Sequence, residues 1–126
     1  MAIEDVAKSL TELCREGKYV EAIEKHYHPN IVSVEAVGDE QMPRVMEGLE
    51  AIKGKSQWWI ENHEVHSSSI QGPYYNGDQF CVHATSEVTF KPTGKKMTMN
   101  EVCLYDVKDD KIVKEHFFYD VTAMGA

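Results

Sequence analysis

The stretch KMTMNEVCLYDVKDDKIVKEHFFY, residues 96–119, holds two segments of alternating polar and apolar side chains around a charged turn at Lys108-Asp109-Asp110. Alternation over that length marks a half-buried strand, and the short turn makes the pair a hairpin. In the first strand Met97, Met99, Cys103 and Tyr105 share a side with Glu101; in the second, Val113, Phe117 and Tyr119 share a side with Glu115. Thr98, Asn100, Val102, Leu104 and Asp106 take the other side of the first strand, and Ile112, Lys114, His116, Phe118 and Asp120 that of the second. Each sulfur- or ring-bearing face therefore contains one carboxyl group.

Upstream of this hairpin, residues 66–75 and 79–90 read as two more strands, with Asn76-Gly77 as the hairpin signal between them and Pro92-Thr93-Gly94 leading into residues 96–107. Helical spacing dominates earlier in the chain. Ile3, Val6, Ala7, Leu10, Leu13 and Cys14 form one stripe over residues 3–15, broken at Gly17. A second stripe carries Tyr19, Ala22, Ile23, His26 and Tyr27 and must stop near Pro29, because the residue before a proline is pushed out of the helical region. Ile31 to Val37 is β-branched and predicts a strand, and residues 38–48, with Pro43 inside, predict a loop. Leu49 to about His63 predicts a third helix, with Leu49, Ile52, Trp59 and Ile60 apolar and Lys53, Lys55 and Glu61 exposed. Helices followed by a meander predict an α+β fold: three helices packed on one face of a strongly curved, mostly antiparallel sheet that encloses a pocket.

Length and charge agree with that picture and narrow the function. The 126 residues suffice for a single domain, 1–126, and 42% hydrophobic with 27% charged residues is ordinary for a globular chain. A net charge of −8 argues against nucleic acid or an anionic membrane surface as partner. No apolar run is long enough to span a bilayer. Met1 to Asp5 lacks a basic and apolar leader pattern, so no signal peptide is expected. Cys14, Cys81 and Cys103 are odd in number and widely spaced, which predicts reduced thiols and a cytoplasmic protein.

The turn decides how the two carboxyl groups stand to each other. A type I turn at Lys108-Asp109 with Asp110 in a left-handed bulge pairs Val107 with Lys111, placing Glu101 opposite Phe117 and Glu115 opposite Cys103. The two carboxyls are then diagonal neighbours at ~7 Å. A two-residue turn instead puts Glu101 beside Phe118 and His116. The bulged form is preferred, because it gathers the aromatic and sulfur-bearing residues. A carboxyl among Met, Phe and Tyr loses hydration and holds its proton more tightly, and a second carboxyl nearby strengthens the effect. Such pairs divide acid and base roles. The competing reading, a carboxylate paired with a lysine or reaching water at the sheet edge, stays open.

Three segments carry a family resemblance: Glu16-Gly17-Lys18-Tyr19 between the first helices, Glu47-Gly48-Leu49-Glu50-Ala51-Ile52 entering the third, and Asp110-Lys111-Ile112-Val113 opening the last strand. In this order the chain resembles the NTF2-like superfamily, specifically its SnoaL-like and ketosteroid-isomerase-like members. Trp58-Trp59, Asn62 to His66 and Phe117-Phe118-Tyr119 resemble a SnoaL-like subfamily whose activity is not established. The resemblance implies a conical sheet around an apolar pocket and a homodimer through the outer sheet face, where Val102, Leu104, Ile112 and Phe118 are expected. It also implies that Glu35, in Val34-Glu35-Ala36-Val37-Gly38, occupies the isomerases' general-base position. Glu101, with Tyr105 four residues on, falls at the position of their protonated oxyanion donor. The isomerases' oxyanion tyrosine falls at Leu10, which cannot donate, so steroid isomerisation is not expected.

The remaining candidates are weaker. His63, near the end of the third helix, is a candidate proton carrier. With His66 it lacks a third ligand at fixed spacing, so no metal is expected. Phosphate loops, nucleophile elbows and activated thiols are absent from the pattern, and no cofactor is expected. The sequence therefore predicts a cofactor-independent isomerase, cyclase or lyase for a small apolar carbonyl compound. Glu35, Glu101, Glu115 and His63 are its catalytic candidates, and Tyr19, Trp59, Met99, Phe117 and Tyr119 line the ligand. The alternative is a binding or dimeric scaffold module of the same fold.

Overall fold

Helical periodicity and caps set the first half of the molecule. In the structure, a computed structural model that describes residues 2–120, α1 spans Ile3–Arg15 and α2 spans Tyr19–His26. Lys18 N–H donates to Leu13 C=O and Gly17 N–H to Cys14 C=O, the paired bonds that end a helix on a left-handed glycine; Gly17 has φ +76°. α2 stops at His26, and Tyr27 is already extended. The strand β1 accordingly begins earlier than its β-branched run suggests, at Tyr27–Val34. The segment read as a loop contains a short strand, β2 (Val45–Glu47), which pairs with the end of β1. Helix α3 covers Leu49–Asn62, and β3 starts directly from it at His63–Asn76. β4 (Gln79–Phe90), β5 (Lys95–Lys108) and β6 (Lys111–Tyr119) complete the meander.

The six strands form one open mixed sheet in the order β2-β1-β6-β5-β4-β3. β1 runs parallel to β6, and the other neighbours are antiparallel. Parallel pairing of the first and last long strands brings Glu35, just past β1, beside the end of β6. The helices lie on one face, α1 against β3 and β4 and α3 against β1. The core between them is built from Val6, Leu10, Ile23, Ile31, Ile52, Phe80, Tyr105 and Ile112, with the Phe80 and Tyr105 rings stacked at 4.9 Å.

The β5–β6 register departs from expectation in an informative way. Lys108 pairs with Lys111, so the turn is the two-residue one, and Asp109 and Asp110 both take positive φ (51° and 65°), the type I′ arrangement. One step further on, Val107 faces Ile112 while Asp106 faces Lys114, leaving Val113 as a bulged extra residue. Turn and bulge each shift the register by one. Their sum keeps Glu101, Cys103, Tyr105, Glu115, Phe117 and Tyr119 on one face, but Glu101 now opposes Tyr119 and Glu115 opposes Tyr105. The two carboxyls stand four residues apart along the ladder, roughly 13 Å, and not in diagonal contact. The bulge also turns Ile112 inward, where it is fully buried, so it leaves the outer apolar patch; Val102 and Phe118 remain exposed there.

Candidate functional site

Buried charge requires partners, and the chain supplies them from β1 and the residue just past it, from α3 and from β6. Glu115, on the inner face of β6, is 2% exposed. Its Oε1 accepts a short hydrogen bond from the Tyr27 hydroxyl, and its Oε2 accepts one from Ser33 Oγ at 2.6 Å. Ser33 is its registered partner across the parallel β1–β6 pair. Lys55 completes the group from α3: its Nζ donates to Ser33 Oγ at 2.6 Å and to Glu35 Oε2 at 2.8 Å, and lies 3.8 Å from Glu115 Oε2. The same ammonium sits 5.1 Å from the centroid of the Phe117 ring. Glu35 Oε1 accepts from the Tyr119 hydroxyl at 2.9 Å.

Lys55 was expected on the solvent face of its helix, and the structure corrects this: its side chain is 14% exposed. Ile52, Lys55 and Trp59 follow the i, i+3, i+7 spacing of a single helical face, and that face is the buried one. The signal was present and was outweighed by the charge of the side chain. Tyr27 and Ser33 carried no sequence signal as partners of Glu115, since the pairing of β1 with β6 is a tertiary fact.

Glu101 differs from the other two carboxyls. It lies half-buried on β5 with Cys103 Sγ 3.7 Å from its Oε1, and among the described residues no cation contacts it directly. Burial and then the charge of Glu35 raise its pKa from 4.5 to about 7, against smaller lowering effects of Cys103 and Lys55. Burial raises the Glu115 pKa as well, opposed by Lys55, Ser33 and Tyr27. Tyr119, beside both Glu35 and Glu101, has its pKa pushed far upward by burial and then by Glu35, so it is a hydrogen-bond donor and not a base.

Of the sequence candidates, Glu35, Glu101, Glu115, Phe117 and Tyr119 thus occupy one region, and Tyr19 borders it through its electrostatic effect from Glu101. Met99 lies one inner-face step along β5 from Glu101, paired with Ser86. His63 belongs to a different group, and Trp59 stands between the two, its ring meeting Tyr19 edge-on at 6.3 Å. The His63 ring stacks on Trp59 at 4.3 Å, accompanies Phe90 at 5.2 Å and bonds through Nδ1 to the Trp59 carbonyl at 2.8 Å. Burial lowers its pKa despite that bond. His63 pairs with Phe90, six residues along β4 from the partner of Glu101, roughly 20 Å of strand. A concavity of about 430 Å³ opens where β6 ends, lined by Glu101 and Tyr119 and otherwise by residues of the outer sheet face, His83, Asn100, Val102, Phe118 and Asp120. Among the described residues no group of three His, Cys, Asp or Glu side chains is placed to hold a metal ion.

A family model described as a SnoaL-like domain matches residues 1–119. A solved structure from Mesorhizobium loti, described as a candidate SnoaL-like polyketide cyclase with the further words carbohydrate phosphatase, is 48% identical with a TM-score of 0.88. That match covers 94% of this chain and 100% of the other. IdmH, a candidate polyketide cyclase from Streptomyces antibioticus, shares the fold at 20% identity and a TM-score of 0.71, covering 96% and 94%. An NTF2-like protein from Anabaena variabilis does so at 16% identity and 0.74, covering 92% and 87%. No protein of curated function matches the sequence.

Proposed function

The chain belongs to the SnoaL-like domain family, and we propose that it is a cofactor-independent acid–base enzyme, an isomerase, cyclase or lyase acting on a small apolar carbonyl compound. One observation carries the reading: two carboxyls of unequal character, the lysine-paired Glu35 and the proton-holding Glu101, meet around the Tyr119 ring. In this mechanism Glu35 takes a proton from the carbon next to the carbonyl. Each of its oxygens accepts one hydrogen bond, which leaves a lone pair for that task. Glu101, in its protonated form, donates a hydrogen bond to the developing oxyanion, where a fixed donor in a dry site contributes most. Phe117, Tyr19 and Met99 supply the apolar wall. Glu115 stays behind the reacting groups as a support.

The protein is further proposed to be a cytoplasmic homodimer. The half-exposed Phe118 and Val102 on the outer sheet face supply the apolar surface for a second copy. Exchange of α-hydrogens for deuterium on a panel of small enolisable ketones, followed by proton NMR, tests the chemistry. The wild type is expected to catalyse exchange, E35Q to abolish it and E101Q to slow it by about 10²–10³-fold. Equal exchange by wild type and E35Q refutes the assignment. A second reading, a binding module without turnover, draws on the double anchoring of Glu35 by Lys55 and Tyr119, which also suits a purely structural ion pair. Saturable ketone binding without exchange is its signature.

A further inference from the structure

Lys55 was not among the residues that the hairpin pattern or the family resemblance singled out. It leaves α3 and ends between β1 and β6, where one ammonium group serves Glu35, Ser33 and Glu115 at 2.8, 2.6 and 3.8 Å. Glu35 is gripped by two donors from two elements, Lys55 on Oε2 and Tyr119 on Oε1. Without Lys55 only the neutral tyrosine would hold it. Tyr119 faces Glu101 directly across the β5–β6 ladder, so Glu35 and Glu101 would then be neighbouring carboxyls with no cation beside them. The titratable groups that act electrostatically on Glu101, or feel its charge, are Cys103 on its own strand, Cys14 from α1, Tyr19 from α2, Glu35 after β1, Tyr119 and the more distant Glu115 from β6, and Lys55 from α3. Among these Lys55 alone is a cation.

We propose that Lys55 is a positioning residue: its ammonium, shared between Glu35 and Glu115, fixes Glu35 against Tyr119 and thereby leaves Glu101 as the carboxyl that carries the mobile proton. This rests on the acid–base reading above and adds to it the group that separates the two roles. The physical reason is that two adjacent carboxyls without a cation share a proton and titrate as a pair, whereas a cation held on one of them assigns the proton to the other. The position of Lys55 also explains why a lysine is tolerated on the buried face of α3. It replaces lost hydration with two hydrogen bonds and two carboxylates.

The test is a carbon-13 titration of the Glu101 side-chain carboxyl in the wild type and in Lys55→Met, Lys55→Arg and Glu115→Gln variants. The wild type and E115Q, which both keep Lys55, are expected to give a single transition for Glu101. K55M is expected to give a broad two-step transition, with limbs separated by on the order of one unit or more, as a coupled pair does. K55R returns the charge and is expected to restore the single step. Should K55M fold poorly, the double variant K55M/E115Q removes one charge of each sign and is expected to show the same broadening. A single unaltered Glu101 transition in both K55M proteins overturns the proposal. If Lys55 behaves as expected but the wild type exchanges no ketone, only the enzymatic reading falls. If exchange depends on Glu35 and Glu101 while the K55M titration is unchanged, only the role of Lys55 falls.

Discussion

Replacing Glu101 by glutamine should stabilise the protein at neutral pH and leave it unchanged in acid. The folded state holds the Glu101 proton up to about pH 7, whereas the ordinary value is 4.5. Between these two values the folded state binds more protons than the unfolded one, so stability must fall as pH rises through the window. At about 1.4 kcal/mol per unit the full penalty is roughly 3 kcal/mol, developed by the time Glu101 is ionised in both states. Glutamine keeps the shape and removes the ionisation, so E101Q escapes the penalty. Below pH 4.5 the two proteins should be equally stable; above pH 7 E101Q should lead by up to roughly 3 kcal/mol, on the order of 10 °C in melting temperature. Urea unfolding of both proteins at steps across this range measures the difference directly. Glu115, whose proton affinity is also raised by burial, gives both proteins a slope of the same sign and cancels in the comparison. A difference that stays flat with pH, or grows as pH falls, refutes the argument that Glu101 is held in a dehydrated, anionic setting. A gain in stability accompanied by lost ketone exchange would be the trade expected of a functional carboxyl.

Further predictions follow from the same contacts. Ser33→Ala removes the hydroxyl that links Lys55 to Glu115 and should cost about 1–3 kcal/mol in urea unfolding; a change below 0.5 kcal/mol, roughly the size of an ordinary surface substitution, would show that the network tolerates its loss. Burial pushes the Cys14 thiol up to about 12 and raises Cys103 as well, so neither should be alkylated in the native protein at neutral pH, and both should react once urea unfolds it. Mass spectrometry of iodoacetamide-treated samples checks this, and rapid native labelling of Cys103 would contradict its burial. On the outer face, the double substitution Val102→Glu with Phe118→Glu should convert a dimer to a monomer in sedimentation velocity. A wild type that already sediments as a monomer at micromolar concentration removes the dimer proposal.

Much of the fold was legible because it depends on short-range rules. Helical stripes predicted α1, α2 and α3, glycine marked the end of α1, and alternation predicted the meander. The same alternation puts Glu101 and Glu115 on one face, and the structure keeps them there with a different turn. A type I′ turn and a bulge at Val113 replaced the single bulged turn, and two shifts of one residue restored the parity. The error appeared where parity alone was insufficient: in the distance between the carboxyls, and at Ile112, which the bulge rotates into the core. The strand β2 was hidden in a segment too short and too polar for any periodicity.

Sequence by itself determined that Glu101 and Glu115 share a face and that they stand there among apolar neighbours, since both follow from the alternation of an extended backbone. Only the tertiary structure decided what each carboxyl meets. Parallel pairing of β1 with β6 brings Ser33 onto Glu115, and the packing of α3 drives Lys55 between Glu35 and Glu115. Among the described residues, Glu101 is left without a cation in contact. Proton affinity depends on the charges and dehydration within a few ångströms, and those neighbours come from strands and a helix distant in the chain.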